Sequence, residues 1–279
     1  MNALHPKRAL AVFVVPATVV FCVFFVIPVA LVLGESSADG GAAFGRVLAD
    51  PVFWRGLAGS LAIGTLAPLV SVVVGFAVAL HLSRLSPGLR TSVAFLISLP
   101  LTFSGLIIAY GFILVFGRAG FVTLLLAELG ADPAFVGSFI FTAPGLAVAY
   151  CYYLIPRVVL VLLPVLVNFD RAQIDAASSL GAGDARAIWD IVVLQILPSL
   201  VSAFALCAAV ALGAYGTALA LVGTQLSILP LLLYSKIAET GSDFPAAAAL
   251  SVIVMGLCCT VVAFAEILAS RSRPETRGA

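Results

Sequence analysis

The chain has 279 residues, of which 63% are hydrophobic and only 10% are charged. Soluble globular domains carry roughly 25% charged residues, so this composition excludes an ordinary water-soluble protein. The formal net charge of +1, without any basic tract, argues against binding to nucleic acid. All five cysteines lie in apolar runs without C-x-x-C spacing, so we expect neither a metal site nor a cofactor.

Six charge-free runs are the candidate membrane spans. An ionised side chain at bilayer depth costs several kcal/mol, so charges mark where spans end. Each run reaches the roughly 20 residues that a helix needs to cross about 30 Å of hydrocarbon. None alternates like a membrane β-strand, so we predict an all-α integral membrane protein with six helices. The predicted spans are 9–34, 56–83, 91–117, 133–156, 191–235 and 244–265.

The basic residues predict the orientation of these helices. With both termini in the cytoplasm, nine basic residues lie on the inner side and four on the outer side, as the positive-inside rule requires. A seventh span within 191–235 would move the C-terminal arginines outside, so we expect 216–235 to be a re-entrant piece or a short outer helix. The inner set is Lys7, Arg8, Arg84, Arg90, Arg171, Arg186, Arg271, Arg273 and Arg277, and the outer set is Arg46, Arg55, Arg118 and Lys236.

The spans also give the domain organisation. The first run is too long for the apolar part of a secretory signal, so it is interpreted as a retained anchor. We predict an N-terminal anchor helix at 1–34, an extracytoplasmic loop at 35–55, a five-helix core at 56–270 and a cytoplasmic tail at 271–279.

The longest predicted cytoplasmic loop, 168–190, has the start and stop signals of a short helix. Asp170 and Gln173 have the spacing of a capping box, Gly181 can supply the left-handed residue that ends a helix, and Asp184 can cap the next helix. A face of small residues permits close docking to a partner, whereas the alternative is an alanine-rich connector. This face comprises Ala172, Asp175, Ala176 and Ser179.

The same loop carries a recognisable signature. It reads Asp175-Ala176-Ala177, then three residues, then Gly181-Ala182. This resembles the E-A-A, three residues, G-A signature of the permease subunits of binding-protein-dependent ABC importers. The chain departs from the signature in having Asp for Glu and Leu194 where a proline is expected, with Pro198 one turn later. Other segments with this resemblance are Asp50-Pro51-Val52-Phe53, Leu99-Pro100-Leu101, Phe116-Gly117-Arg118-Ala119-Gly120 and Tyr215-Gly216-Thr217.

The resemblance implies a type I ABC importer permease fold in the bacterial inner membrane, with a cytoplasmic coupling helix. It implies three protein partners: a cytoplasmic ABC ATPase dimer, a second permease that is identical or homologous, and an extracytoplasmic solute-binding protein. The subgroup it most resembles transports polyamines, ferric ion, phosphonates or sulfate. No G-x-x-x-x-G-K-[ST] motif occurs, so ATP hydrolysis is expected in the partner. The implied ATPase contacts are Asp175, Ala176, Ala177, Ser179, Gly181 and Ala182.

Polar residues within the spans are few, and they are the candidates for the translocation path. Arg157 is the one basic residue embedded in an apolar stretch. It is interpreted either as a gate or anion contact, or as an interfacial side chain that snorkels from the inner end of the fourth span, and the second interpretation is favoured. The path candidates are Thr102, Ser104, Tyr110, Tyr150 and Tyr153.

Two other functions compete with the importer permease. A stand-alone secondary transporter is expected to place ionisable residues at the bilayer midplane, and the six charge-free runs hold none. A membrane enzyme would need clustered acid, base or nucleophile groups, but the chain has only two histidines and no H-E-x-x-H or G-x-S-x-G motif. Both alternatives are weaker than the importer permease.

Overall fold

The computed structural model describes residues 6–238 and 243–271. Within these ranges the chain is mostly helical and has no β-strand. The predicted tail, 271–279, lies outside the described residues except for Arg271. The helices are α1 (Pro6–Phe21), α2 (Ile27–Ser36), α3 (Ala42–Ala49), α4 (Pro51–Ser83), α5 (Pro87–Ser98), α6 (Gly105–Phe116), α7 (Phe121–Glu128), α8 (Pro133–Ser138), α9 (Ala143–Val167), α10 (Ala172–Ser179), α11 (Asp184–Ala187), α12 (Leu194–Leu212), α13 (Tyr215–Val222), α14 (Leu229–Ala238) and α15 (Phe244–Arg271).

Six helical stretches of the described chain are long and apolar enough to cross a membrane. The predicted number of spans is therefore confirmed, and so is the all-α membrane fold. The stretches are Val14–Ser36, Pro51–Ser83, Gly105–Glu128, Ala143–Val167, Ala185–Leu212 and Phe244–Ser270.

The predicted bounds of the third span are wrong, because the run 91–117 is not one helix. A 3-10 turn, Leu99–Thr102, follows α5. Pro100 has no N–H to continue the helical hydrogen bonds, and Ser104 then caps α6 by accepting a hydrogen bond from Ile107 N at 3.4 Å. The break places polar groups and a helix N-terminus within an otherwise apolar segment.

The predicted bounds of the fourth span are wrong as well. Its helix α9 begins after Thr142, whose hydroxyl accepts a hydrogen bond from Gly145 N at 3.4 Å, and continues to Val167. The prediction ended at Pro156 because Arg157 follows it. In the structure both Pro156 and Arg157 lie inside the helix, so a single charge did not mark the end of a span.

The fifth run contains one long span followed by short helices. A π-helical turn, Ile188–Val193, leads into α12, which contains Pro198. After Gly213, α13 turns back and buries Thr217 and Leu221, and α14 follows. The segment 216–235 is therefore mostly made of short helices.

One compact unit is formed by the described residues within 1–54 and 232–255. Within it, Arg46 Nη1 contacts Asp39 Oδ2 at 2.7 Å, and Arg46 Nη2 contacts Asp243 Oδ1 at 3.2 Å. The amide of Ala246 donates a hydrogen bond to Asp243 at 3.0 Å. This hydrogen bond, together with Arg46, lowers the pKa of Asp243 below its ordinary value although partial burial opposes the shift. These contacts link α3, in the predicted outer loop 35–55, to the start of α15.

The second unit is formed by the described residues within 55–231 and 256–279, and its core surrounds α9. One face of α9 is fully buried against α12, α13 and α5. Gly75 of α4 allows a close approach to the same helix, because a Cβ added there would lie 2.7 Å from Val158 Cβ. The fully buried face of α9 includes Leu146, Ala149, Leu154, Val158, Val159 and Leu162.

Candidate functional site

A helix, α10, forms at the place predicted for the coupling helix, and its start is capped by one side chain. Asp170 Oδ1 accepts a hydrogen bond from Ala172 N at 3.0 Å. Gln173 does not complete the predicted capping box, because its Oε1 accepts a hydrogen bond from Gln195 Nε2 of α12. The side chain that the sequence assigned to capping thus connects α10 to the fifth span.

Gly181 ends the helix as predicted, with a left-handed φ of +86°. Gly181 N donates to Ser178 O at 3.0 Å, and Ala182 N donates to Ala177 O at 3.0 Å. This pair of hydrogen bonds is the Schellman motif, which satisfies the last carbonyl groups of a helix and fixes the direction of the following chain. The predicted cap by Asp184 lies outside the described side chains.

The predicted small-residue face of α10 is exposed. On the other side of the helix Ile174 is half-buried, and Ala177 is half-buried as well. Leu180, directly after the helix, is 89% exposed, and Trp189 is 68% exposed. Sequence reasoning missed Leu180, although a leucine between a polar helix and a helix-ending glycine is a signal for an exposed apolar contact. The exposed face comprises Ala172, Asp175, Ala176 and Ser179.

The loop is also connected to the C-terminal end of the second span. Arg171 Nη2 donates a hydrogen bond of 2.8 Å to the carbonyl of Ser83, the last residue of α4. Beside this bond lies a cavity of about 310 Å³, lined among others by Leu80, Ile174 and Asp175. No sequence pattern pointed to Arg171, because its partner is a backbone carbonyl 88 residues away.

A second cavity, of about 400 Å³, lies between α6, α9 and the junction of α12 with α13. We call it the central cavity. Its polar side chains are Ser104, Tyr153, Arg157 and Thr217. Thr217 Oγ1 donates to Gly105 O at 3.0 Å. Tyr153 is only 7% exposed, and its hydroxyl has no hydrogen-bond partner among the described residues.

The five candidates for the translocation path lie in different places in the structure. Ser104 and Tyr153 line the central cavity, but the other three do not. Tyr150 OH donates to Ala214 O at 2.7 Å, and Thr102 Oγ1 donates to Leu99 O at 2.7 Å. Tyr110 is 56% exposed and lines no cavity described here. Thr217 is a cavity residue that sequence reasoning did not select, because it lies in the segment 216–235, which the sequence predicts to be a re-entrant piece or a short outer helix.

Arg157 lies ten residues before the end of α9, or about 15 Å along the helix axis. Its side chain lines the central cavity. The described residues hold no acidic partner for it, since their ion pairs involve other basic residues. They also contain no group of three His, Cys, Asp or Glu side chains that could hold a metal ion.

Comparison with known proteins gives the family. The model of the binding-protein-dependent transport system inner membrane component matches residues 71–274, which include α9, α10 and the central cavity. The chain belongs to this family. It is therefore a permease of the binding-protein-dependent ABC importer class, located in the inner membrane with multiple spans.

Individual relatives agree with this assignment. The permease is 30% identical over 253 residues to sulfate permease 2 of the Chlamydomonas reinhardtii chloroplast, covering 88% of this chain and 67% of the relative. It is 27% identical to a putative 2-aminoethylphosphonate transport system permease protein of Salmonella typhi, covering 77% of this chain and 70% of the relative.

The fold of the permease also matches a solved structure. A chain of a bacterial alginate ABC transporter, crystallised with an alginate-bound periplasmic protein, superposes with a TM-score of 0.78. The superposition covers 95% of both chains at 19% sequence identity. At this identity the match shows the fold alone, and that fold is the predicted type I ABC importer permease fold.

Proposed function

We propose that this permease forms half of the translocation pathway of an ATP-driven solute importer and docks a cytoplasmic ATPase dimer through α10. The observation that carries the proposal is the build of α10. It is capped at both ends, exposes a face of small residues and continues into the exposed Leu180. A rigid helix of this kind can seat in a groove of a partner and move as one body with it.

The attachments of α10 support a mechanical role. Arg171 connects its start to the end of α4 through Ser83, and Gln173 connects it to α12 through Gln195. A displacement of α10 by a closing ATPase dimer would therefore reach the second and the fifth spans together. In this scheme the ATPase supplies the energy and the permease performs no covalent chemistry.

We assign the ATPase contact to the predicted residues of the loop and add Leu180. Large apolar side chains that enter a pocket of the partner commonly dominate the binding energy of an interface. Leu180 is the apolar anchor in this proposal, and the small residues around it let the two backbones approach. The contact set is Asp175, Ala176, Ala177, Ser179, Leu180, Gly181 and Ala182.

The proposal includes two further partners. One permease chain carries one α10, whereas a symmetric ATPase dimer presents two equivalent surfaces, so a second permease, identical or homologous, completes the complex. An extracytoplasmic solute-binding protein delivers the solute, as the family name states for the class. The relatives named for sulfate and 2-aminoethylphosphonate support a small solute.

Two matched glycine variants test the docking. Gly181→Val places a β-branched residue at a left-handed φ, which is strained and reshapes the end of α10. Gly183→Val is the control, because Gly183 lies in the same loop with open space around it and no left-handed φ. We expect Gly181→Val to reduce the co-purified ATPase and its stimulated ATP hydrolysis several-fold, and Gly183→Val to change neither.

A surface variant guards against a folding defect. Leu180→Ser alters a side chain that is almost fully exposed, so the permease should fold normally and still lose ATPase in the same pull-down. If Gly181→Val and Leu180→Ser both retained wild-type amounts of ATPase and wild-type hydrolysis, α10 would not be the docking element.

A further inference from the structure

The central cavity combines a half-buried cation with one buried hydroxyl group that has no hydrogen-bond partner within the described residues. Arg157 lines it from the middle of α9 and has no acidic partner in the described chain. Charged side chains at this depth are almost always paired or face a water-filled cavity. Because Arg157 lacks an acidic partner, the cavity is suited to transient binding of an anion.

Tyr153 gives independent evidence for a ligand. It lies one helical turn before Arg157 on α9, lines the same cavity and is only 7% exposed. Its hydroxyl makes no hydrogen bond within the described residues. A buried hydroxyl without a partner is costly, so it is normally satisfied by water or by a bound molecule.

Two helices begin at the central cavity. Ser104 and Gly105 at the start of α6 line it, and so do Gly216 and Thr217 at the start of α13. The N-terminus of a helix carries a partial positive charge and unpaired N–H groups, both of which favour anions. With Arg157, the site therefore has three sources of positive potential.

The lining of the cavity also excludes the opposite charge. None of its lining residues is Asp or Glu, so no carboxylate in the lining would pair with a polyamine or a ferric ion. Its volume of about 400 Å³ falls within the roughly 300–1,000 Å³ typical of small-molecule sites. We propose that the central cavity binds the oxyanion group of the transported solute, a sulfate or a phosphonate, with Arg157 as the cationic contact and Tyr153 as a hydrogen-bond donor.

This inference rests on the proposed function, because it makes the cavity a solute-binding site within the translocation pathway of an importer. It deepens that function by choosing the anionic members of the substrate class. Recognition by the binding protein and contact in the central cavity would then select for the same chemical group.

A cysteine placed in the cavity reports its charge. The reporter is Ser104→Cys in the full chain, with the five native cysteines replaced by alanine and the protein in membrane vesicles. We expect the anionic 2-sulfonatoethyl methanethiosulfonate to react faster than its trimethylammonium analogue. Arg157→Gln should lower this rate ratio by about tenfold, the size of effect expected from a unit charge in the same partly hydrated cavity. Arg157→Lys should restore much of it.

Arg118→Gln is the matched control for the loss of one charge. Arg118 is exposed, lies in the same unit and does not line the central cavity, so the rate ratio should stay at the wild-type value. A ratio that falls equally in both variants, or in neither, would overturn the cationic role of Arg157.

Protection identifies the ligand chemistry. Sulfate or 2-aminoethylphosphonate should slow labelling of the reporter, spermidine should not, and the protection should vanish in Arg157→Gln. Equilibrium dialysis of radiolabelled sulfate and of 2-aminoethylphosphonate against the wild-type chain in nanodiscs repeats the test without a reporter cysteine. If neither anion protected or bound, or if spermidine protected as well, the proposal would be wrong.

The result is separable from the ATPase test. Labelling needs no ATPase, so intact anion protection with failed ATPase docking contradicts the proposed function alone. Normal docking with no anion effect contradicts the anion site alone.

Discussion

Tyr150 and Tyr153 lie three residues apart on α9, and their hydroxyl groups have opposite surroundings. Tyr150 is 1% exposed, and its OH donates to Ala214 O at 2.7 Å, where the chain turns from α12 into α13. Tyr153 has no such partner. One hydroxyl therefore stabilises a junction of the fold, whereas the other is available to a ligand.

Replacing each tyrosine by phenylalanine should separate these roles. We expect Tyr150→Phe to lower the free energy of unfolding by about 1–3 kcal/mol, because the carbonyl of Ala214 loses its buried donor. Tyr153→Phe should be neutral or slightly stabilising without added anions, because it removes an unpaired hydroxyl. Thermal unfolding of the purified chain in detergent measures both. Equal destabilisation by the two changes would contradict the different roles.

Sequence reasoning selected three polar residues that line the central cavity, but it could not assign their hydrogen-bond partners. It selected Ser104, Tyr153 and Arg157 because polar groups are rare in the spans. It could not distinguish Tyr150 from Tyr153, since both are tyrosines in the same apolar run. The distinction depends on Ala214, which is 64 residues away from Tyr150 in the chain.

Among the elements, capping residues and prolines mark the ends of the helices more closely than charged residues do. The left-handed Gly181 could be predicted because only a local conformation is needed there. The extension of α9 past Arg157 could not, because it depends on helices that cover the charged residue from the side. The same holds for Gln173, whose predicted capping bond is replaced by a bond to Gln195 on another helix.

Close packing of α4 on α9 gives a prediction for two glycines. Gly75→Ala adds a Cβ at 2.7 Å from Val158, a β-branched residue with little freedom to move, and we expect it to cost about 1–3 kcal/mol. Gly111→Ala in α6 is the control, because nothing lies within 4 Å of the added Cβ. It should be neutral or stabilise the helix by up to about 1 kcal/mol. Unfolding midpoints in detergent compare them; a loss as large in the control would rule out a packing cause.

For the whole molecule, the predicted orientation makes the loop 168–190 cytoplasmic and the loop 35–55 extracytoplasmic. This follows from the nine-to-four distribution of basic residues. Single cysteines at Ala38 and Gly183, both exposed, report on the two loops.

A membrane-impermeant maleimide should label Ala38→Cys in intact cells and Gly183→Cys only after the membrane is opened. The native cysteines all lie in apolar segments, so a chain without added cysteines gives the background. Labelling of Gly183→Cys in intact cells would contradict the predicted orientation. It would show that α10 lies outside the cell, where a cytoplasmic ATPase cannot reach it.

Arg157 also affects how the chain enters the bilayer during synthesis. On insertion scales, an arginine at the centre of a helix costs about 2.5–3.5 kcal/mol, whereas an apolar residue such as leucine or valine contributes only about −0.3 to −0.6 kcal/mol. About half of the candidate span that carries this charge is buried inside the described chain, a larger share than in any other candidate span. We therefore expect the fourth span to be retained in the membrane with the help of its neighbours, so that the residue assigned to the solute also fixes the order in which helices must assemble.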